Sequence, residues 1–408
     1  MKVLIADKFE QLGLDELADS AKSGCEVFFE PGLSADALPD ALTKFAPDIL
    51  IVRSTKVTAA AIEAGERLSL IIRAGAGYDT IDIAKASTEG VFVANCPGKN
   101  AIAVAELTWA LILSCDRRVP QQTAQLRDGK WNKKEFGKAN GVYGRTLGVL
   151  GLGTIAREVV TRAKGFGMNV VAWSRSLNAA SAAEAGVTLA ETPRRVAELS
   201  DIVSIHVAST AETKHLVDSE FIAAMKPGAY LINTSRGAVV DQEALVAGIR
   251  DKGIRAGLDV YDNEPGSSSA EFATPVAEEA TFVGTHHVGA STEQAQQAIA
   301  MEAVRVINHY RDSGEVLNCV NRAARSTATC VLTVRHRNRP GVLAHVFQVL
   351  SEASINVEEM ENVLYEGAEA ACARIQLGSA PSAEHLDTVR ARCADILSME
   401  LSLLGVSG

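Results

Sequence analysis

Residues 146–156, TLGVLGLGTIA, constrain this chain more than any other stretch. Residues 147–150 form an apolar run of strand length, and Gly151, Gly153 and Ala156 follow it at G-x-G-x-x-A spacing. The first glycine of such a turn lets the chain reverse. The second lets the backbone approach a pyrophosphate, and the third small residue lets the next helix pack on the strand. Thr154 and Ile155 then open a segment in which Ile155, Val159, Val160 and Ala163 recur at helical spacing, with Gly165 and Gly167 placed to close it. A nucleotide-binding strand–turn–helix is predicted here. It starts only after residue 145, so a folded segment must precede it.

That preceding segment has its own rhythm. Residues 3–6, 27–29, 49–52, 70–73 and 91–94 are short apolar runs separated by polar or helical stretches such as 35–45. The alternation predicts a parallel sheet with helices on both faces. The same grammar returns around the fingerprint, with strands expected at 147–150, 170–172, 202–205, 230–233, 256–260 and 281–284. Two α/β domains follow, joined by a helix at 101–118 and by a return near residue 286, with ligand in the cleft between them. The helix is apolar around most of its circumference, which implies burial on several sides, against a second subunit included. Glu106 and the run Asp116-Arg117-Arg118 exclude it as a membrane span. The first residues, MKVLIAD, read as a strand entering a helix rather than as a signal peptide. Beyond about residue 324 the style changes. Strands at 330–336, 356–365, 370–377 and 400–404, with helices at 340–353 and 383–397, spell βαββαβ, a ferredoxin-like unit.

Composition narrows the partners. A chain of 408 residues with 47% hydrophobic and 22% charged residues is expected to hold two or three globular domains. A net charge of −10 argues against nucleic acid, and an anionic substrate would need local positive clusters working against that field. Seven scattered cysteines (25, 96, 115, 319, 330, 372 and 393) show neither C-x-x-C pairs nor metal-ligand spacing. Reduced thiols, a cytoplasmic protein and no metal are expected.

Polar residues stand at three strand ends where a core would not request them. Arg236 follows a buried run, and its planar fork suits a carboxylate or α-keto acid. Residues 259–264, DVYDNE, bring several carboxylates ahead of Pro265, with Asp262 and Asn263 read as a solvated loop. His286 and His287 follow the last strand, where an imidazole can move a proton near neutral pH. In the first domain Arg53, Ser54 and Lys56 form a basic loop suited to phosphate. Lys133 and Lys134 would add charge from a neighbouring subunit.

The ordered motifs GLGTIARE, NTSRGAVVD, LDVYDNEP and THHVGAST, with VRSTKVT, RAGAGYDTID and NCPGKNAIAVAELT ahead of them, resemble the D-isomer-specific 2-hydroxyacid dehydrogenases. The resemblance implies a Rossmann-type nucleotide domain (99–286) inserted in a flavodoxin-like substrate domain (1–98 and 287–323). Residues 326–408 resemble an ACT domain, a small-molecule regulatory module. It also implies an Arg–Glu–His triad at Arg236, Glu264 and His287, with His286 where the family usually has proline. Arg236 would hold the substrate carboxylate, and His287 would take the C2 hydroxyl proton as hydride leaves for the nicotinamide. Glu264 would hold the imidazole. Cofactor contacts are carried over to Gly151, Gly153, Thr154, Ile155, Ser174, Arg175, His206, Val207, Thr234, Ser235, Asp259 and Ala290, besides Arg236 and His287. Substrate contacts fall on Arg53, Ser54, Lys56, Arg73, Ala74, Gly75 and Asn100.

The branch that oxidises D-3-phosphoglycerate on the way to L-serine fits best, as a homo-oligomer (dimer or tetramer) with L-serine as effector at His336, Asn338 and Asn356. An NADP-dependent glyoxylate or hydroxypyruvate reductase competes with it, and a non-catalytic nucleotide-sensing protein is more remote. One departure stands out. Ser174 occupies the position where NAD-binding relatives carry an acid, and Arg175 follows, so NAD and NADP both stay open as cofactor.

Overall fold

Runs of leucine and β-branched residues form the strands of the first sheet because both of its faces are covered. Lys2–Ile5 (β1), Glu26–Phe29 (β2), Ile49–Val52 (β3), Leu70–Arg73 (β4) and Phe92–Asn95 (β5) pair in parallel, in the order β2-β1-β3-β4-β5. This is the flavodoxin-like 2-1-3-4-5 order. Alternate residues serve opposite faces: Val3, Ile5, Ile49 and Ile51 pack with Leu17 and with Ile299, Ala303 and Ile307. Leu4, Leu50, Val52 and Ile71 pack with Leu42, Ile62 and Ala86. One covering helix, Glu293–Ser313, therefore returns from far along the chain. The computed structural model describes residues 1–19, 24–265, 269–323 and 326–404. It divides into Met1–Asn321 and Arg322–Gly408, and residues 405–408 of the expected regulatory segment lie outside the described residues.

Between the two halves of the first layer lies a seven-stranded parallel sheet. Its strands are Thr146–Leu150 (β6), Asn169–Trp173 (β7), Thr188–Leu189 (β8), Ile202–Ile205 (β9), Tyr230–Asn233 (β10), Arg255–Leu258 (β11) and Val283–Gly284 (β12). They run in the order β12-β11-β10-β9-β6-β7-β8. The order reverses between β6 and β9, which is where open α/β sheets bind dinucleotides. The helix Ala101–Arg117 packs Trp109, Leu111 and Ile112 on this sheet, and Trp109 stacks on Phe166 with centroids 4.5 Å apart.

A buried acid on the covering helix of the first sheet gathers three partners. Glu302 is only 5% exposed and accepts from Arg305 at 2.6 and 3.0 Å and from Asn318 at 2.8 Å; Lys99 lies 3.2 Å away. Arg305, followed by Asn318 and Lys99, overcomes the cost of burial and holds the Glu302 carboxyl at about 2. Lys99 precedes the helix that leaves for the second sheet, and Asn318 follows the covering helix, so the acid ties the start of the outgoing helix to the first layer.

The C-terminal unit is antiparallel. Cys330–Arg337 (β13), Val357–Leu364 (β14), Ala370–Leu377 (β15) and Ile396–Leu403 (β16) pair in the order β14-β15-β13-β16. Helices Val342–Glu352 and Ala383–Arg392 complete the βαββαβ unit. One boundary differs from the sequence expectation. The second helix ends at Arg392 instead of 397, because Cys393 turns extended (φ −142°, ψ 104°) and 396–403 pair with β13. Pairing along a whole strand outweighs the helical propensity of those residues. The two-residue β8 was not expected, being too short to show a period, and β12 is shorter than the expected 281–284.

None of the seven cysteines forms a disulfide, and burial pushes Cys96 and Cys115 up to about 12. Among the described residues no helix is long and apolar enough to cross a membrane, and no cluster of metal ligands occurs.

Glu302→Gln is expected to lower unfolding stability by about 1–3 kcal/mol at neutral pH, read from the urea midpoint. The folded carboxyl titrates at about 2 against an ordinary 4.5, so this contribution is complete above 4.5. It fades as pH falls toward 2, and the gap between wild type and variant should close over that window.

Candidate active site

The fingerprint turn is pinned from both neighbouring strands. Gly151 donates its N–H to Trp173 O at 2.7 Å, and His206 donates its own to Leu150 O at 2.8 Å. Gly151 has φ +87°, and a Cβ there would lie 2.8 Å from the His206 carbonyl oxygen and 3.0 Å from Val207 Cγ1. Only glycine fits such a contact. Gly153 caps the helix Thr154–Gly165 without a side chain in the cap, and a Cβ on it would meet nothing within 4 Å. The first N–H groups of that helix, from Thr154 and Ile155 onward, therefore lack intrahelical acceptors in open space. Their dipole suits a pyrophosphate. The residues present thus fit a dinucleotide. Beside them His206 has its Nε2 2.8 Å from the Ser204 hydroxyl, and burial holds it at about 4, a neutral ring.

At the ends of β10, β11 and β12 the expected triad assembles. His287 Nδ1 lies 2.6 Å from Glu264 Oε2, and Glu264 Oε1 accepts the Tyr261 N–H at 2.8 Å. Burial raises the Glu264 carboxyl, but hydrogen bonds from His287 and Tyr261 and the charges of His287 and Arg236 outweigh it. Its pKa lies below the ordinary carboxylate value. His287 Nε2 is the ring nitrogen left for a substrate. The neighbouring His286 is exposed and takes no part in the pair.

Arg236 reaches across to the first sheet. Its Nε and Nη2 donate to Asp79 at 3.3 and 3.1 Å, and Nη1 donates to Ser235 O at 2.8 Å. Of five N–H donors, two remain for a ligand. A Cβ at Gly77 would fall 2.0 Å from Arg236 Nη2, so the close approach needs glycine there. Burial opposes ionisation of Asp79, yet Arg236 holds its pKa below the ordinary value. Arg73 lies in the same cleft. Burial, then the charges of Arg236 and Arg53, hold its pKa below the ordinary value, and its Nε is buried without a partner. Asn100, at the start of the helix Ala101–Arg117, likewise keeps a buried Oδ1 unpaired. Both orphaned atoms fit a polar ligand that would satisfy them.

Several expected contacts are already spent inside the protein. Ser54 donates its hydroxyl to Asp7 at 3.0 Å, and Asp7 also takes the N–H groups of Arg53, Ser54 and Thr55. That leaves the Arg53 and Lys56 side chains of this loop for an anion. The Ala74 and Gly75 amides donate to Val52 O and Arg73 O, not to a ligand. Thr234 is buried against Thr108, whose hydroxyl donates onward to Val104 O, so the Thr234 proton is committed to Thr108. Ser235 is turned onto Asn233 at 2.7 Å, and the Ala290 carbonyl accepts from Gln296 at 2.6 Å. Asp259, expected beside the nicotinamide, is 1% exposed; its carboxylate accepts from Thr285 Oγ1, Val288 N and Gly289 N at 2.6–2.9 Å. It positions the His287 loop instead. Asp79 and Asn233 were not singled out from sequence. Asn233 had a signal, an Asx residue just before the Ser235-Arg236 turn, whereas Asp79 had none.

In the C-terminal unit the three effector candidates do not converge. His336 is 2% exposed, with Nδ1 2.8 Å from Arg337 O and Nε2 3.3 Å from Asn362 Oδ1. Asn338 donates to Ala368 O at 2.8 Å, at the same end of the sheet. Asn356 precedes Val357, which pairs with Leu377 and hence lies level with Cys330, at the opposite end of β13. Seven strand steps, about 23 Å, separate the two ends.

Residues 109–289 match the NAD-binding domain of the D-isomer-specific 2-hydroxyacid dehydrogenases, and residues 331–361 match an ACT domain. The chain is 37% identical over 326 residues to the D-3-phosphoglycerate dehydrogenase of Methanocaldococcus jannaschii, covering 79% of this chain and 60% of that protein. It thus spans about three fifths of that relative's length. It is 41% identical over 272 residues to the hydroxypyruvate reductase of Thermotoga maritima, covering 66% of this chain and 87% of the reductase. The NAD-bound 3-phosphoglycerate dehydrogenase structure from Entamoeba histolytica superposes with a TM-score of 0.66 at 25% identity, over 79% of this chain and 99% of that one. The chain belongs to the D-isomer-specific 2-hydroxyacid dehydrogenase family and carries an ACT domain in its C-terminal unit.

Proposed function

We propose that this chain is an NAD-dependent dehydrogenase that oxidises D-3-phosphoglycerate at C2 to 3-phosphohydroxypyruvate, on the way to L-serine. The observation that carries the reading is the grouping of Arg53, Arg73 and Arg236 beside the His287–Glu264 pair, in a chain of net charge −10. Such local positive charge suits a substrate with anionic groups at both ends. The relative from M. jannaschii is named for this activity. Seven cysteines, none in a disulfide, agree with a reducing, cytoplasmic setting.

The bound nicotinamide supplies the chemistry of accepting hydride from C2. The chain's residues supply the rest. Arg236 offers its two free N–H groups to the C1 carboxylate while Asp79 keeps the fork oriented. His287 Nε2 takes the C2 hydroxyl proton, and Glu264 on Nδ1 fixes the ring and balances the imidazolium charge. Arg53 and Lys56 meet the phosphate, and Arg73 and Asn100 each offer an unpaired polar atom to the substrate.

L-serine is the proposed effector of the ACT domain. Since His336 and Asn338 stand at one end of β13 and Asn356 at the other, a shared site has to be assembled from two copies of the domain. A homo-oligomer follows. A second reading, a reductase of unphosphorylated hydroxypyruvate, is favoured by the 41% identity to the T. maritima enzyme.

Three outcomes test this. The kcat/KM for reducing 3-phosphohydroxypyruvate should exceed that for hydroxypyruvate by about 100-fold, and Arg53→Gln with Lys56→Gln should erase the gap. Equal efficiency in wild type would select the second reading. His287→Ala should lower kcat by about 10²–10⁴ with the dinucleotide Kd nearly unchanged, and Glu264→Gln should cost less. If His286→Ala were the damaging change instead, the proton-transfer assignment would be wrong. Serine should inhibit, Asn338→Ala should raise the half-inhibitory concentration, and deletion of 326–408 should abolish the response while the triad still turns over. An enzyme indifferent to millimolar serine would assign the ACT domain another ligand.

A further inference from the structure

The acid that usually ends the second strand of a dinucleotide-binding sheet accepts the adenine ribose hydroxyls. Here Ser174 stands in that place and Arg175 follows it. By sequence alone the exchange invites a 2′-phosphate. The structure changes that balance, because Arg175 Nη1 donates to Glu212 Oε2 in an ion pair. Arg175 leaves the end of β7 and Glu212 belongs to the segment after β9. The strand between them is β6, which ends in the turn at Gly151 and Gly153. The pair therefore spans the mouth of the fingerprint turn, where the adenosine end of a dinucleotide would lie. Glu212 is held there by its own segment. The next residue, Thr213, is buried, accepts the Thr210 N–H at 2.8 Å and donates to Ala208 O at 2.6 Å.

We infer that Glu212 is the residue that selects NAD over NADP in this chain, supplying from the β9 loop the carboxylate that the end of β7 lacks. The inference deepens the NAD reading given above and rests on it. A 2′-phosphate carries a charge of about −1.5 to −2 at neutral pH. To reach Arg175 it must displace the Glu212 carboxylate and then lie beside it, like charge against like. A ribose 2′-hydroxyl is neutral and donates to a carboxylate or to Ser174 at no such cost. Arg175 is thereby kept from acting as a phosphate receptor, although its position and chemistry equip it for that role.

The test is direct binding of NAD and NADP to the full chain. Trp173, one residue before Ser174, serves as fluorescence reporter, and calorimetry serves as control. Wild type should bind NAD at least about tenfold more tightly than NADP. Glu212→Gln should tighten NADP by about tenfold and move NAD by less than about threefold. Adding Arg175→Ala to Glu212→Gln should remove the gain, because the freed guanidinium is its source. Both side chains are well exposed, so the fold should not depend on either. A Glu212→Gln chain whose NADP-to-NAD Kd ratio stays within about twofold of wild type overturns the inference, as does a wild type that prefers NADP. A wild type that binds neither dinucleotide overturns the cofactor reading itself, and this inference with it.

Discussion

Asp259 sits almost without solvent contact, and every group it has is employed. Its N–H donates to Asn233 O at 2.9 Å and its carbonyl accepts the His287 N–H at 2.8 Å. Its carboxylate takes Thr285 Oγ1 and the amides of Val288 and Gly289. The residue thereby joins the loop after β10 to the loop after β12, and these two loops carry Arg236 and His287. His287 itself has φ +53°, a left-handed conformation that costs a side-chain-bearing residue about 1–2 kcal/mol. The Asp259 bonds hold it there, and in that conformation Nδ1 meets Glu264. Charge-assisted bonds to backbone amides are strong and short, so a buried carboxylate can act as the organising centre of three loops. The triad is built on this centre more than on its own hydrogen bond.

The electrostatics of the cleft follow from a similar economy. Arg53, Arg73 and Arg236 repel one another in a partly dry space, and within it Asp79 is the carboxylate bonded to Arg236. Asp79 neutralises one of the three guanidinium charges and aims its fork. Asp7 does the opposite service under the Arg53 loop. By absorbing three amides and the Ser54 hydroxyl, it fixes the loop and directs recognition to the long cationic side chains. The result is a site in which backbone polar groups are largely spent and side chains carry the selection. The unpaired Nε of Arg73 and Oδ1 of Asn100 are the exceptions, and a burial cost of that kind is sustained where a ligand repays it.

The strands and the strand-end positions of Arg236 and His287 were legible because each leaves a local mark. Four buried residues at 49–52 can only be a covered strand, and an arginine or histidine directly after such a run has nowhere to point but the cleft. The acceptors that organise the site left no such mark. Asp79 and Arg236 are 157 residues apart, and Arg175 and Glu212 are 37 apart. Their pairing depends on strand order, which a pattern of apolar runs does not encode. Ala74 and Gly75 were expected at the substrate for the same reason: whether an amide is free depends on where the neighbouring chain runs. The effector residues show the limit of spacing arguments. His336, Asn338 and Asn356 are close in sequence, and the antiparallel register puts the third at the far end of the sheet.

The tie at Glu302 gives the outgoing crossing a second significance. Lys99 binds this acid, and the next residue, Asn100, opens the helix that carries Trp109 into the nucleotide-binding layer. Asn318, just after the covering helix of the first sheet, binds the same carboxylate. A ligand that engages the unpaired Oδ1 of Asn100 therefore acts one residue away from this charged cluster. Glu302 is nearly solvent-free while Lys99 and Arg305 keep solvent contact, and the flexible Lys99 stem lets the acid anchor the start of the outgoing helix without fixing it rigidly.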